Sequence, residues 1–161
     1  MNYPSSSVPM AQNDNQRKII LVVGFDDNDY LDIAMSLQEC GLPFDLAHSE
    51  ISHDADYFLQ AHNTDIVAVI ANHHMDDKMG YGLKWLNKRK HQSLADIPTI
   101  AVVDNSTQAA FAQANDMADS SIVAHELFLM DGVMLFNALA DATVHAKARE
   151  VPKNNQDASL A

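Results

Sequence analysis

Five short apolar runs, each followed by a stretch with helical periodicity, constrain this chain more than any other feature. The runs are residues 18–25 (KIILVVGF), 43–48 (PFDLAH), 65–71 (DIVAVIA), 98–103 (PTIAVV) and 121–124 (SIVA). The first, third and fourth are continuously apolar and rich in β-branched residues. A strand with one wet face would alternate, so these read as strands buried on both faces. The intervening segments carry apolar residues three and four apart. Residues 30–40 place Leu31, Ala34, Met35 and Leu37 on one stripe, with Gly41 as a stop. A second helix from Ser52 presents Ala55, Phe58 and Leu59, and a third over 81–90 presents Leu83, Trp85 and Leu86. A fourth, Ala-rich, is capped by Ser106 and runs to Met117; a long last one covers 127–149, with Met130, Met134, Leu135, Ala138, Leu139 and Ala142 facing inward. Five strand–helix units with right-handed crossovers predict a doubly wound α/β fold, (βα)5, around a five-stranded parallel sheet. Any site then lies at the carboxyl ends of the strands.

Outside that repeat the chain is polar. Residues 1–17, with two Pro and three consecutive Ser, read as a flexible tail, residues 18–149 as one domain, and residues 150–161 as a C-terminal tail or the start of a linker. The formal charge of −12 repels phosphate backbones and anionic lipid, which argues against direct nucleic-acid or membrane binding. The single cysteine, Cys40, excludes an internal disulfide and multi-cysteine zinc sites, and reads as a small buried hydrophobe. With no apolar run of roughly 18 residues and no basic segment leading an apolar one, the expected location is cytoplasmic.

Eighteen of the 22 acidic residues are Asp, the residue of caps, turns and strand ends. Strand carboxyl ends deliver Asp26, Asp27 and Asp29 after the first strand, Asn72 after the third and Asp104 after the fourth. Asp26 and Asp27 form a hard-oxygen pair of the kind Mg²⁺ accepts; the competing role is a helix cap by Asp26 or Asn28. The loop 72–80 (NHHMDDKMG) offers His73, His74, Asp76 and Asp77, all competent metal ligands, but adjacent histidines rarely reach one ion and a solvated loop is the simpler reading. The chain has no glycine-rich phosphate loop and no GxSxG elbow. Lys84, Lys88, Arg89 and Lys90 gather at the end of the third helix, where they complement the helix dipole or form a docking patch for an acidic partner.

The (βα)5 order, the acids after the first strand, a site residue after the third strand and a loop ending in Gly80 together resemble the receiver domain of two-component response regulators over about residues 18–148. The resemblance implies a flavodoxin-like receiver fold. In that family an acidic pair holds Mg²⁺, an Asp ending the third strand accepts phosphate, a Thr or Ser ends the fourth, and a Lys followed by Pro ends the fifth. Laid on this sequence, the acidic pair falls on Asp26 and Asp27 and the phosphoacceptor position on Asn72. A slip of one or two residues would bring Ile70 or His74 there instead, and no slip supplies an Asp. The two switch positions fall on Val103 and on Ala124, which His125 follows rather than Pro.

An amide nitrogen cannot replace a carboxylate nucleophile, Val103 cannot hydrogen-bond a phosphoryl oxygen, and Ala124 brings no ammonium. The expectation is therefore a degenerate receiver that is not an enzyme and requires no cofactor, Mg²⁺ at Asp26 and Asp27 being optional. It would act by protein contact or dimerisation, and it would regulate an attached output domain. Receivers pair through the face formed by helix 4, strand 5 and helix 5. Here Phe128, Met130, Val133 and Met134, with Leu129 and Phe136, supply more apolar surface than one buried stripe needs. The alternative is a small flavodoxin-like enzyme or ligand-binding domain using Asp26, Asp27, Asn72 and Asp104 as an acidic cleft.

Overall fold

The computed structural model describes residues 18–148 apart from 40, 42, 43, 63, 93, 95, 104–116 and 124–135. In chain order the elements are β1 (Lys18–Val23), α1 (Asp27–Glu39), β2 (Phe44–Ser49), α2 (Ser52–His62), β3 (Ile66–Asn72), α3 (Tyr81–Lys90), β4 (Thr99–Val103) and β5 (Ser120–Val123). A last helix spans 136–148. The sheet order is β2-β1-β3-β4-β5, and every pairing is parallel. The chain steps outward from β1 to β2, then returns across β1 to β3, so the order reverses between β1 and β3. That is where a doubly wound sheet opens a crevice at its carboxyl edge.

Both faces of the sheet are buried, as the continuous apolar runs require. Alternate residues of β1 divide between two cores. Leu21 and Val23 join Leu59, Leu83, Trp85 and Leu86 under α2 and α3. Ile20 and Val22 join Ile33, Leu37, Ala138 and Ala142 under α1 and the last helix. The central strands β3 and β4 are almost wholly buried.

Two features of the first unit depart from the periodicity. The strand stops at Val23, because Gly24 takes a left-handed backbone (φ 86°) that no strand can continue; Phe25 is nevertheless buried and belongs to the core. The helix begins at Asp27, three residues before Tyr30, and turns a different stripe inward. Ile33 and Leu37 meet the sheet, with Tyr30 half-buried beside them, whereas Leu31 is 56% and Met35 60% exposed. The apolar stripe expected through Leu31 and Met35 is thus a surface. Leu31 and Met35 each lie two residues from Ile33, which sets them roughly 160° away, on nearly the opposite side of the helix. The other described helices agree with expectation, while the helix expected from Ser106 to Met117 and the first part of the last one, 127–135, fall on residues outside the described set. Ala55 and Leu59 are buried on α2, Leu83, Trp85 and Leu86 on α3, and Ala138 and Ala142 on the last helix.

Candidate functional site

The carboxyl edge of the sheet brings together the ends of β1 and β3. The residue placed against Asn72 is Gly24, just past the end of β1: the Asn72 Nδ2 donates to the Gly24 carbonyl oxygen at 3.1 Å. A Cβ at position 24 would sit 3.2 Å from the Asn72 Cβ, so the absence of a side chain is what lets these two strand ends approach. Gly82, in the first turn of α3, is under a similar demand. A Cβ there would collide with the carbonyl oxygen of Asn72, and the Gly82 N–H donates to the His73 carbonyl at 2.9 Å. Asn72 is therefore wedged between two glycines, half-buried, with its amide nitrogen committed to backbone. On the other side Asn72 pairs with Val102 in β4, and Val103 ends that strand fully in the core at 2% exposure.

The acidic pair lies two and three residues beyond Gly24 and is used differently. Asp26 caps α1: its Oδ1 accepts the Asp29 N–H at 2.8 Å, and its carbonyl accepts the Tyr30 N–H at 2.9 Å. Burial, together with the charges of Asp26 and Asp32, pushes the Asp29 carboxyl above its ordinary value. The Asp27 side chain is 89% exposed, and its Oδ1 lies 3.6 Å from His48 Nδ1.

His48, near the end of the edge strand β2, is a site residue that nothing in the linear pattern distinguishes among eight histidines. Its ring stacks on Tyr30 with centroids 4.4 Å apart and planes within 4°, and its Nε2 lies 2.6 Å from the Phe25 carbonyl oxygen. A carbonyl can only accept, so Nε2 carries the proton and Nδ1 turns toward Asp27. Burial raises the Tyr30 phenol above its usual value. Its place comes from the sheet: Val22 and His48 are paired neighbours, on the α1 side.

The loop after β3 is built around Asp76. Asp76 and Asp77 both adopt left-handed backbone (φ 56° and 61°), and Met75 pairs with Lys78 across the turn. The Asp76 Oδ1 accepts the Ser52 N–H at 2.9 Å, and its Oδ2 accepts the Ser52 hydroxyl at 2.5 Å. A carboxylate from a distant loop thus takes the N–H and the hydroxyl of Ser52 at the start of α2. The basic cluster on α3 is also partly committed. Arg89 makes a bidentate pair with Asp56 of α2, with both Nε and the terminal nitrogen at 2.7 Å, and the Trp85 indole donates to the same carboxylate at 2.9 Å. Burial alone would raise the Asp56 carboxyl, but the hydrogen bonds from Arg89 and Trp85 outweigh it and hold the group below its ordinary value.

Of the positions singled out in the sequence, Asn72 and Val103 stand at adjacent strand ends, while Asp26 and Asp27 belong to the start of α1. Asp104, Ala124, His125, Phe128, Leu129, Met130, Val133, Met134 and Cys40 lie outside the described residues. A divalent cation would need several oxygen donors converging on one point. Among the described residues no three His, Cys, Asp or Glu side chains do so. Gly24 and Phe25 offer no side-chain oxygen. Asp26 and Asp27 are the carboxylates here that would hold such a cation, with one Asp26 oxygen already engaged by its own helix.

Known proteins place the fold. The chain superposes on the signal receiver domain of an HD domain-containing protein from Pseudomonas fluorescens Pf-5, with a TM-score of 0.64 and 19% identity, over 82% of this chain and 98% of that one. It matches a response regulator receiver domain protein from Clostridium thermocellum with a TM-score of 0.64 and 16% identity, over 81% and 98%. The Mn²⁺-bound form of the response regulator Rcp1 gives a TM-score of 0.58 at 17% identity, over 71% and 89%. No protein-family model and no curated protein matches the sequence. The fold is that of response regulator receiver domains. Among the described residues no helix is long and apolar enough to cross a membrane.

Proposed function

We propose that this chain is a non-catalytic signalling module on a receiver fold, acting by phosphorylation-independent contact with a protein partner or a second copy. The observation that carries the reading is Asn72 at the end of β3, its amide donating to the Gly24 carbonyl. An amide has no carboxylate oxygen to attack a phosphoryl group, so an aspartyl phosphate cannot form at that atom. The neighbouring strand end, Val103, offers no hydroxyl to a phosphoryl oxygen. Gly24, where β1 meets Asn72, contributes no carboxylate for Mg²⁺.

We assign the partner contact to the face of helix 4, strand 5 and helix 5, through Phe128, Met130, Val133 and Met134, and an output domain beyond residue 149 as its target. Ala124 stands at the second switch position and brings no ammonium. The test is incubation of the chain with acetyl phosphate and Mg²⁺, followed by intact mass and by amide chemical shifts of residues 72–80. The expected result is an unmodified mass and unmoved shifts. A stoichiometric phosphoryl adduct that hydroxylamine removes would overturn the proposal.

A further inference from the structure

We propose that the end of the sheet opposite Asn72 carries a binding site for a small apolar amine. A cavity of about 510 Å³ lies between the last helix and the amino-terminal halves of β1 and β3. That volume falls within the roughly 300–1,000 Å³ of small-molecule sites. Its floor is made by Ile20 and Ala68, both buried, and its walls by Phe44, Ile97, Phe136 and Leu139. The last helix borders this space through Phe136, Leu139, Ala140, Thr143 and the buried Ala146, while Ala138 and Ala142 pack into the core.

The polar groups decide what kind of molecule fits. Two side chains with oxygen line the cavity among the described residues, Asp96 and Thr143. The Thr143 hydroxyl already donates to the Leu139 carbonyl at 2.8 Å, which leaves its oxygen as an acceptor. The exposed Asp96 carboxylate can only accept. No Lys, Arg or His is among these lining residues. A ligand must therefore bring an apolar body and a hydrogen-bond donor, and a protonated nitrogen is the donor that a carboxylate holds most strongly. A carboxylic acid of the same shape would set charge against Asp96 within a chain of formal charge −12. The site is independent of the reading of Asn72, which lies at the other edge of the sheet.

The test compares n-octylamine with octanoate on the full chain near neutral pH, by calorimetric titration and by chemical shifts of residues 66–68 and 136–146. Saturable one-to-one binding of the amine is expected, with octanoate at least about tenfold weaker, which is about 1.4 kcal/mol. Asp96→Asn should bring the two ligands to within about threefold of each other. Ala140 is exposed, so Ala140→Phe can fill the mouth without disturbing the core; it should weaken the amine at least about tenfold at unchanged Tm. The proposal is overturned by the absence of saturable amine binding, by octanoate binding equally well, or by Ala140→Phe leaving affinity unchanged while the protein remains folded.

Discussion

The two faces of the sheet are covered by helices held in different ways. On one, α2 and α3 are joined side to side. Asp56 of α2 takes three hydrogen bonds from Trp85 and Arg89 of α3, and the loop leading into α3 reaches back through Asp76 to start α2. On the other face, among the described residues, no polar contact joins α1 to the last helix. Each lies on the sheet through apolar side chains, the last helix is tied by His145 Nδ1 to the carbonyl of Asp119, just ahead of β5, and a cavity opens beside it. Directional bonds between helices fix their relative position, whereas apolar packing with an unfilled space tolerates sliding. The α2–α3 face is built as a rigid backing for Asn72. The α1 face, with Leu31 and Met35 exposed among acids and without a basic residue on the helix, is the adaptable one.

The comparison breaks most severely at Gly82. Replacing a helical glycine by alanine ordinarily stabilises by about 1 kcal/mol. Here the new methyl group would enter the carbonyl oxygen of Asn72, which is backbone and cannot turn aside. Overpacking wins: Gly82→Ala should destabilise by about 3 kcal/mol. It should also displace α3 from β3 and shift the Asn72 side-chain amide resonances. Urea unfolding and a two-dimensional NMR spectrum check both. A stabilised variant with unmoved Asn72 signals would mean that α3 is not held by this close approach.

Asp56 tests the link between the helices. Its removal leaves the Trp85 indole, itself 3% exposed, without its acceptor and strips Arg89 of both bonds. The Asp56 side chain is 38% exposed and the ion pair is partly screened, so Asp56→Ala should cost about 2 kcal/mol rather than the larger loss of a fully buried pair. The pH dependence has a definite sign. The folded-state carboxyl lies below its ordinary value, so its contribution is complete above the unfolded pKa of about 4 and is lost as pH falls through the lower, folded value. The stability gap between the native chain and Asp56→Ala, followed by thermal unfolding, should narrow below about pH 4. A gap that stays constant into that range would assign the effect to packing alone.

How much of this was legible in the sequence follows from the range of the interactions. Strands buried on both faces announce themselves locally, and four of the five runs end within two residues of their observed limits; residue 124, where the fifth was expected to stop, is outside the described residues. Asp26 as a cap was also legible, since a cap is read from residues three apart. The inward stripe of α1 was not, because Leu31, Ala34 and Met35 satisfy the helical period as well as Ile33 and Leu37 do. The sheet chooses between the two stripes, and where the helix starts depends on Gly24. The neighbour of Asn72 was hidden for a similar reason. Two acids after a strand attract the eye, yet the residue that meets β3 is set by where β1 stops, and a left-handed glycine stops it before they are reached. Contacts such as Asp76 to Ser52, 24 residues apart, carry no periodic signal at all.

Those last two interactions give the smallest and most discriminating test, because they perform one task by opposite means. Asp26 caps α1 from the adjacent position, whereas Asp76 caps α2 from another loop. Removing a cap typically costs about 1 kcal/mol. Asp26 is exposed, so water can replace it, and Asp26→Ala should fall at the lower end, about 0.5 kcal/mol, with the effect confined to the first turn of α1. Ser52 is 8% exposed, and its N–H and hydroxyl would both lose their acceptor, so Asp76→Ala should cost about 1.5 kcal/mol. The two variants differ more in where they act than in size. Amide exchange should quicken only at residues 27–30 in Asp26→Ala. In Asp76→Ala it should quicken at both the start of α2 and the loop 73–80, because the bond that caps one also holds the other. Exchange in Asp76→Ala confined to α2 would show that the loop is held by its own turn, through Met75 and Lys78, and that the rigid backing of Asn72 does not depend on α2.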